Sequence, residues 1–293
     1  MTGSSSGVGK KLAQILYSQD AKVYVAARSR EKADKAIADI KAASPKSNGE
    51  LIFLYLDLND LTAVKKSAED FLSKETKLHV LWNNAGVMIP PQGSKTKQGY
   101  EEQLGINCVA PFLLTRLLTP LLVKTAQNAA PGSVRVIWVS SSAINRSPPG
   151  GVNLNNMDYA TDAGAWTKYG ISKAGNYYYG TQFAKLYKNA GICSVSLNPG
   201  NLKTDLQRHV PRWQMLVINR LVYPPLFGAY TELFAGLSPD VTLEKSGAWI
   251  EPWGRFDAPR ADLEKGSKSE AEGGTGIAEK FWKWSEEQIK QYG

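Results

Sequence analysis

The stretch Thr2–Gly9, TGSSSGVG, runs directly into KKLAQILYSQD (10–20) and then into AKVYVAAR (21–28). Its glycines fall at the spacing G-x-x-x-G-x-G. Glycine lets a backbone pass close to a pyrophosphate, and the unpaired N–H groups that open a helix attract anions. In the segment that follows, Leu12, Ile15, Leu16 and Tyr17 share one helical face. Residues 21–28 are a short apolar strand at the distance a β-α-β unit requires. A frayed Gly/Ser-rich terminus carries similar letters, so the rest of the chain decides.

It decides for alternation. A charged helical pattern (30–43) precedes the apolar run LIFLYLDL (51–58), and a helix over 60–74 precedes LHVLWNNAG (78–86). A long helical stretch, 99–127, contains Pro111 and leads to SVRVIWVSSS (133–142); a helix over about 167–189 leads to GICSVSLNPG (191–200). Strands alternating with helices predict a doubly wound parallel α/β sheet. The near-continuous apolar strands predict helices on both faces. No internal repeat interrupts the 293 residues, which suit one large domain over 1–293. Residues 145–165 and 256–276 are rich in Gly, Ser and Asp and read as loops, and Glu279–Tyr292 reads as a docking helix through Phe281, Trp282, Trp284 and Ile289.

Composition narrows the chemistry. Apolar residues are 43% and charged residues 21%, ordinary for a chain that buries a core. No run approaches the ~20 apolar residues of a membrane span. The N-terminus lacks the apolar stretch of a signal peptide, so a cytoplasmic location is the expectation. Two cysteines, Cys108 and Cys193, and two histidines, His79 and His209, supply neither a disulfide framework nor a metal centre. The net charge of +8 is spread without a basic block, which argues for a solvated surface and against nucleic acid.

The polar strand ends point to one crevice. Asn83-Asn84-Ala85-Gly86, Ser140-Ser141-Ser142 and Asn198-Pro199-Gly200 each close an apolar strand, at the edge where open α/β sheets bind ligands. Tyr169 and Lys173 stand four apart, hence on one helical face. A phenol normally titrates near ~10, and a neighbouring ammonium would lower that value and make the pair a usable general acid and base. Such a pair also occurs by chance on surface helices; its company on the sheet edge gives it meaning. At the end of the strand 21–28, where an NAD-binding chain would place an acid for the ribose diol, stand Arg28, Ser29 and Arg30. A cation there suits a 2′-phosphate, or is simply a surface arginine.

The set T-G-x-x-x-G-x-G, N-N-A-G, V-S-S and Y-x-x-x-K, in this order over nearly the whole chain, resembles the short-chain dehydrogenase/reductase family, a Rossmann-like fold. Gly228-Ala229-Tyr230 to Leu233 and Ser246 to Pro252 are similar to runs in its retinol-dehydrogenase-like and fungal NADP-dependent members. The resemblance implies that Tyr169 is the general acid in carbonyl reduction and the base in alcohol oxidation. Lys173 would lower its pKa and hold the nicotinamide ribose, Ser141 would orient the substrate oxygen, and Asn107 would sustain a proton relay through water. Cofactor binding falls to Gly3, Ser5, Gly7, Val8 and Gly9 in the glycine loop, with Arg28, Asp57 near the adenine and Asn84 near its ribose. Pro199, Gly200 and Thr204 would close over the carboxamide. The implied cofactor is NADP(H), in preference to NAD(H), and no metal is implied.

The chain departs from this pattern at its start. The glycine loop should follow a strand, but only Met1 stands before Thr2, so the first, central strand is expected to be lacking through truncation or loss of an upstream segment. A gap of two strand spacings, about 9–10 Å, would leave neighbouring backbone groups unsatisfied. An alternative to an active reductase is therefore a cofactor-binding member impaired in turnover. Residues 203–228 hold many apolar side chains and read as a substrate lid, implying a small hydrophobic carbonyl or alcohol substrate. A core helix, or peripheral contact with a bilayer, is the other reading of that segment. A homo-oligomer is open, since helical faces of this family commonly pair.

Overall fold

The computed structural model describes residues 1–204, 206 and 222–293. Most of the expected lid, Asp205 and residues 207–221, lies outside the described residues.

Two hydrogen-bonded sheets form the middle layer. Strands β1 (Lys22–Ala27) and β2 (Glu50–Tyr55) pair in parallel, Lys22 opposite Glu50 and Ala27 opposite Tyr55. The second sheet has the order β3 (Val80–Asn83), β4 (Val134–Val139), β5 (Ile192–Leu197), β6 (Trp249–Glu251) and β7 (Arg255–Asp257). Strands β3 to β6 run parallel, and β7 is antiparallel to β6. The sequence reading expects a wholly parallel sheet and a loop over 256–276; both expectations are corrected here. Only Pro252, Trp253 and Gly254 link β6 to β7, and so short a link can only reverse the chain, because a parallel crossover needs about a dozen residues. The second expected loop also contains a helix, Ala261–Ser267.

The place between β1 and β3 is where the reading expects a strand to be lacking. Residues Met1–Gly3 pass there and bond to both sides. Ala26 N donates to the Met1 carbonyl at 3.1 Å and Gly3 N to the Ala26 carbonyl at 2.9 Å, while Thr2 N donates to the Trp82 carbonyl at 3.1 Å. Thr2 forms a parallel bridge with Ala26.

Helices cover both faces, as the apolar strands require. On one face Leu12 and Leu16 of α1 (Gly7–Ser18), Ile40 of α2 (Arg30–Ala43) and Ala229 and Ala235 of α6 (Pro225–Leu237) pack with Val25, Ile137, Val195 and Leu197. On the other, α3 (Leu61–Lys74), α4 (Glu102–Ala126) and α5 (Ala165–Tyr187) bury Val64, Phe112 and Tyr178 against Val136 and Trp138. Successive residues of β4 thus point to opposite cores, the period-2 rule of a strand. The helix Ala261–Ser267 is α7. Helix α8 (Ile277–Ile289) docks on α5 as its aromatic spacing predicts: Phe281 stacks on Tyr179 with ring centroids 4.9 Å apart, and the Tyr179 and Ser285 hydroxyls are 2.7 Å apart.

By length and mean hydropathy (1.7), α4 would suit a membrane span, which the sequence reading did not notice. Within the fold 78% of that window is buried, so its apolar surface faces the protein core. Near its start the helix widens into a π turn, Gly105–Val109, just ahead of Pro111. Pro111 has no N–H to return to the carbonyl four residues earlier, and such bulges re-aim side chains at functional sites.

Candidate active site

Strand β4 ends at Val139, and α5 passes over that end. The Lys173 ammonium donates to the Val139 carbonyl at 2.9 Å, Asn176 Nδ2 donates to the same oxygen at 3.1 Å, and Ser140 Oγ donates to the Lys173 carbonyl at 2.7 Å. Beyond Ser141 the chain makes a 3-10 turn, Ser142–Arg146, in which Ser141 Oγ accepts from Ala143 N. This turn lies so close to α5 that a β-carbon on Gly170 would stand 2.7 Å from both the Ala143 carbonyl and Ser147 N. Glycine is required at 170 by that approach, and the approach brings Tyr169 beside Ser141.

Tyr169 is 4% exposed. Burial pushes its phenol up to about 12, and hydrogen bonding with Ser141 pulls the other way. Lys173 is equally buried, and loss of solvation lowers its ammonium to about 8. The sequence reading expects Lys173 to acidify the phenol. Here its Nζ lies 5.7 Å from the centre of the Tyr169 ring and is directed at the Val139 carbonyl, and desolvation outweighs any such help.

The π turn carries Asn107 into the same place. Its Oδ1 accepts from Val87 N at 2.8 Å, and its Nδ2 donates to the Val87 carbonyl at 2.9 Å and to Ser172 Oγ at 3.0 Å. Ser172 in turn donates to the Tyr169 carbonyl at 2.8 Å. Ser172 is a residue the sequence reading missed, although it lies inside Y-x-x-x-K. A β-carbon on Gly86 would meet Asn107 Oδ1 at 3.0 Å and Lys173 Nζ at 3.5 Å. The N-N-A-G strand end, Asn107 and Lys173 therefore converge. Met88, Ala143 and Tyr169 form a small apolar cluster with Ile89, Trp166 and Leu206 packed on it.

The glycine loop lies at the same sheet edge. Gly3 and Gly7 have φ of +70° and +56°, and a β-carbon on Gly3 would stand 2.9 Å from Ala85 Cα. Helix α1 starts at Gly7 with no side-chain cap and no acid in its first turn, so Val8 and Gly9 lie in a turn whose amides are open to an anion. Thr2, which the reading treats only as the loop's first letter, holds the loop to β3: its Oγ1 accepts from Asn84 N at 3.0 Å and Ala85 N at 2.9 Å, and its carbonyl accepts from Asn84 Nδ2.

Ser5, Ser6 and Gly7 open onto a cleft of about 480 Å³ that is also lined by Lys10, Arg28, Ser29, Lys32 and Lys35. Lys10 and Lys35 pair with Asp39, whereas Arg28 and Lys32 have no acidic partner among the described residues. Arg30 does not join them; its guanidinium lies over the Phe53 ring at 4.8 Å and it pairs with Asp34. The lysines were missed because their membership depends on how α1 and α2 face each other. This cleft, the glycine cradle and the uncapped helix start fit the phosphates of a dinucleotide.

The remaining sequence-derived residues are less concentrated. Asp57 follows β2, and one of its oxygens accepts from Asn59 N at 3.0 Å, with Leu56 N bonded to the Ala27 carbonyl beside Arg28. Gly200, at φ +95°, follows Pro199 and packs near Pro252 and Trp253. The Thr204 methyl would lie 3.5 Å from a β-carbon on Gly7, so this loop does reach the glycine loop. The legs of the expected lid are clamped together: Lys203 N donates to the Tyr223 carbonyl and Tyr223 N to the Asn201 carbonyl.

Comparison with known proteins finds relatives over the whole chain. The short chain dehydrogenase family profile matches residues 1–215. A short-chain dehydrogenase/reductase of Phomopsis amygdali is 52% identical over 297 residues, spanning 100% of this chain and 89% of that one. A solved structure from Mycobacterium paratuberculosis superposes with a TM-score of 0.71 at 26% identity, over 99% of this chain and 91% of the other. The NADPH-bound carbonyl reductase from chicken fatty liver shares the fold at 23% identity, with a TM-score of 0.66 over 88% of this chain and 97% of that chain.

Proposed function

This chain belongs to the short-chain dehydrogenase/reductase family, and on that premise we propose that it reduces the carbonyl group of a small hydrophobic substrate, or oxidises the matching alcohol, with NADP(H). The bound nicotinamide would supply or accept the hydride. The chain's own residues hold and move the proton. Tyr169, neutral because burial raises its phenol to about 12, donates to the substrate oxygen during reduction. Ser141 orients that oxygen, and Asn107, braced by Val87 and Ser172, keeps the inner side of the site polar. Met88, Ile89, Ala143, Trp166 and Leu206 give the substrate side an apolar wall.

The preference for NADP(H) rests on Arg28 and Lys32. They are the cations of the cleft beside Ser5 and Gly7 that lack an acidic partner among the described residues, and a 2′-phosphate would supply one.

One observation carries the reading: a buried phenol, Ser141 and Lys173 meet at the end of β4, beside Asn107 and the N-N-A-G strand end. The test is NADPH consumption with a panel of hydrophobic aldehydes and ketones, alongside NADPH binding followed by fluorescence. Turnover that vanishes in Tyr169→Phe while binding persists supports the reading. Binding without turnover of any carbonyl leaves a cofactor-binding protein, and no binding of either dinucleotide overturns the proposal.

A further inference from the structure

We propose that the apolar cluster beside Tyr169 selects a carbonyl compound with an apolar, ring-sized body and an anionic group at its far end, which Arg146 receives. The inference rests on the reductase reading above and adds the class of substrate.

Three observations meet here. First, Arg146 closes the turn Ser142–Arg146 that begins at Ser141, so the group that orients the carbonyl and the guanidinium belong to one short segment. That segment is pinned from two sides. Gly170 of α5 lies against it, and Arg260 donates to the Ile144 and Ser147 carbonyls at 3.1 Å each. The spacing between carbonyl end and cation is therefore set by the fold rather than by a free loop.

Second, a ring separates the two ends. Trp166 stands one helical turn before Tyr169, and their rings meet edge to face with centroids 6.4 Å apart. The Arg146 guanidinium lies over the Trp166 ring at 4.7 Å. This ring packs with Met88, Ile89, Ala143 and Leu206 around Tyr169, so apolar side chains stand between the phenol and a positive charge.

Third, that charge is unspent. Among the described residues Arg146 forms no ion pair and no hydrogen bond through its side chain; its contact is the Trp166 ring. Lys168, the neighbouring cation on the same helical turn, is neutralised by Asp162. A cation–π contact orients a guanidinium without using its N–H donors, and those donors match a carboxylate in a two-pronged geometry.

The test uses the holoenzyme with NADPH and a matched pair of substrates, para-carboxybenzaldehyde and its methyl ester, which differ at the far end of the ring. Arg146→Gln should raise the KM ratio of acid to ester about tenfold or more, Arg146→Glu should raise it further, and Arg146→Lys should restore part of the preference. Trp166→Leu should weaken both substrates and narrow the difference between them. Thermal melting of each variant separates a lost contact from a lost fold. An unchanged ratio in Arg146→Gln and Arg146→Glu overturns the inference. Calorimetric titration of para-carboxybenzyl alcohol into the NADP-loaded protein keeps the two readings apart. Arg146-dependent binding without turnover of either aldehyde sinks the reductase reading and keeps the anion contact. Turnover of both aldehydes with binding indifferent to Arg146 does the opposite.

Discussion

The ammonium of Lys173 lies 5.7 Å from the centre of the Tyr169 ring and donates its hydrogen bond to the Val139 carbonyl, at 2.9 Å, rather than to the phenol. The two groups share one helical face, but burial acts on them in opposite senses. It favours the neutral forms of both, raising the phenol to about 12 and bringing the ammonium to about 8. A site built this way keeps its proton donor loaded at neutral pH and makes the lysine the group that titrates.

The pH profile of reduction follows. Tyr169 stays protonated throughout the neutral range, so it imposes no acid limb. Lys173 is positive below about 8 and loses its charge above that value. Its charge favours the phenolate left behind when Tyr169 gives up its proton. Accordingly kcat/KM for carbonyl reduction should be level below that pH and fall above it, since kcat/KM reports groups of the free enzyme. Lys173→Arg, which keeps its charge, should flatten the alkaline limb at a lower plateau. Tyr169→Phe should lower turnover by about 10²–10⁴-fold, the usual contribution of a general acid. A wild-type profile level to pH 10 would refute the role given to Lys173.

Coenzyme choice is testable at the cleft. Arg28→Ala and Lys32→Ala should each weaken NADPH by about 10- to 150-fold, the equivalent of the ~1.5–3 kcal/mol of a charged hydrogen bond, while NADH changes little. Raising the salt concentration should erode the NADPH advantage of the parent protein. Equal losses for both dinucleotides, measured by fluorescence titration, would mean that these cations do not face the 2′-phosphate.

Much of this site is local in origin, which is why the sequence exposes it. Tyr169 and Lys173 share a face because of the helical period, and Ser141 and Asn84 stand at strand ends because the apolar runs stop there. The remainder comes from contacts between elements. Arg30 looks as well placed as Arg28 until Phe53 of the neighbouring strand draws its guanidinium away. Lys10 and Lys35 become partners only because both reach Asp39. The resemblance names Asn107, but not the π turn before Pro111 that carries it, since an apolar pattern averaged over 99–127 does not register one extra residue in a turn. The antiparallel β7 was hidden for another reason: three residues of β structure among Gly, Pro and charged neighbours give no periodicity to read.

Thr2 joins the glycine loop to β3 through one hydroxyl. Thr2→Val keeps the shape but leaves Asn84 N and Ala85 N without their acceptor in a buried place. A buried unsatisfied donor costs ~1–3 kcal/mol, so the melting temperature should drop by several degrees. NADPH should also bind more weakly, because Asn84 loses one of its two ties to residue 2. Thr2→Ser keeps the oxygen and should restore most of both. A Thr2→Val protein with parental melting and parental NADPH affinity would show that the hydroxyl does not fasten the loop.

Glu232 links stability to the charge of Lys173. It lies fully buried on α6 with neither carboxylate oxygen hydrogen-bonded, and desolvation raises it to about 8 despite the attraction of Lys173. In the unfolded chain it ionises near its ordinary 4.5. Between these values the folded protein holds a proton on Glu232 that the unfolded chain has lost, so this group's contribution to stability is greatest below about 4.5 and is lost as pH rises through about 8. Glu232→Gln cannot ionise. It should melt close to the parent in acid, melt above it at pH 8, and reduce the slope between. The same substitution removes an acidic neighbour that helps keep Lys173 protonated. The alkaline fall of kcat/KM should therefore move to lower pH in Glu232→Gln, by a shift that calorimetry and kinetics can measure on one preparation. A gain in alkaline stability without that kinetic shift would mean that Glu232 and Lys173 do not sense each other across the core.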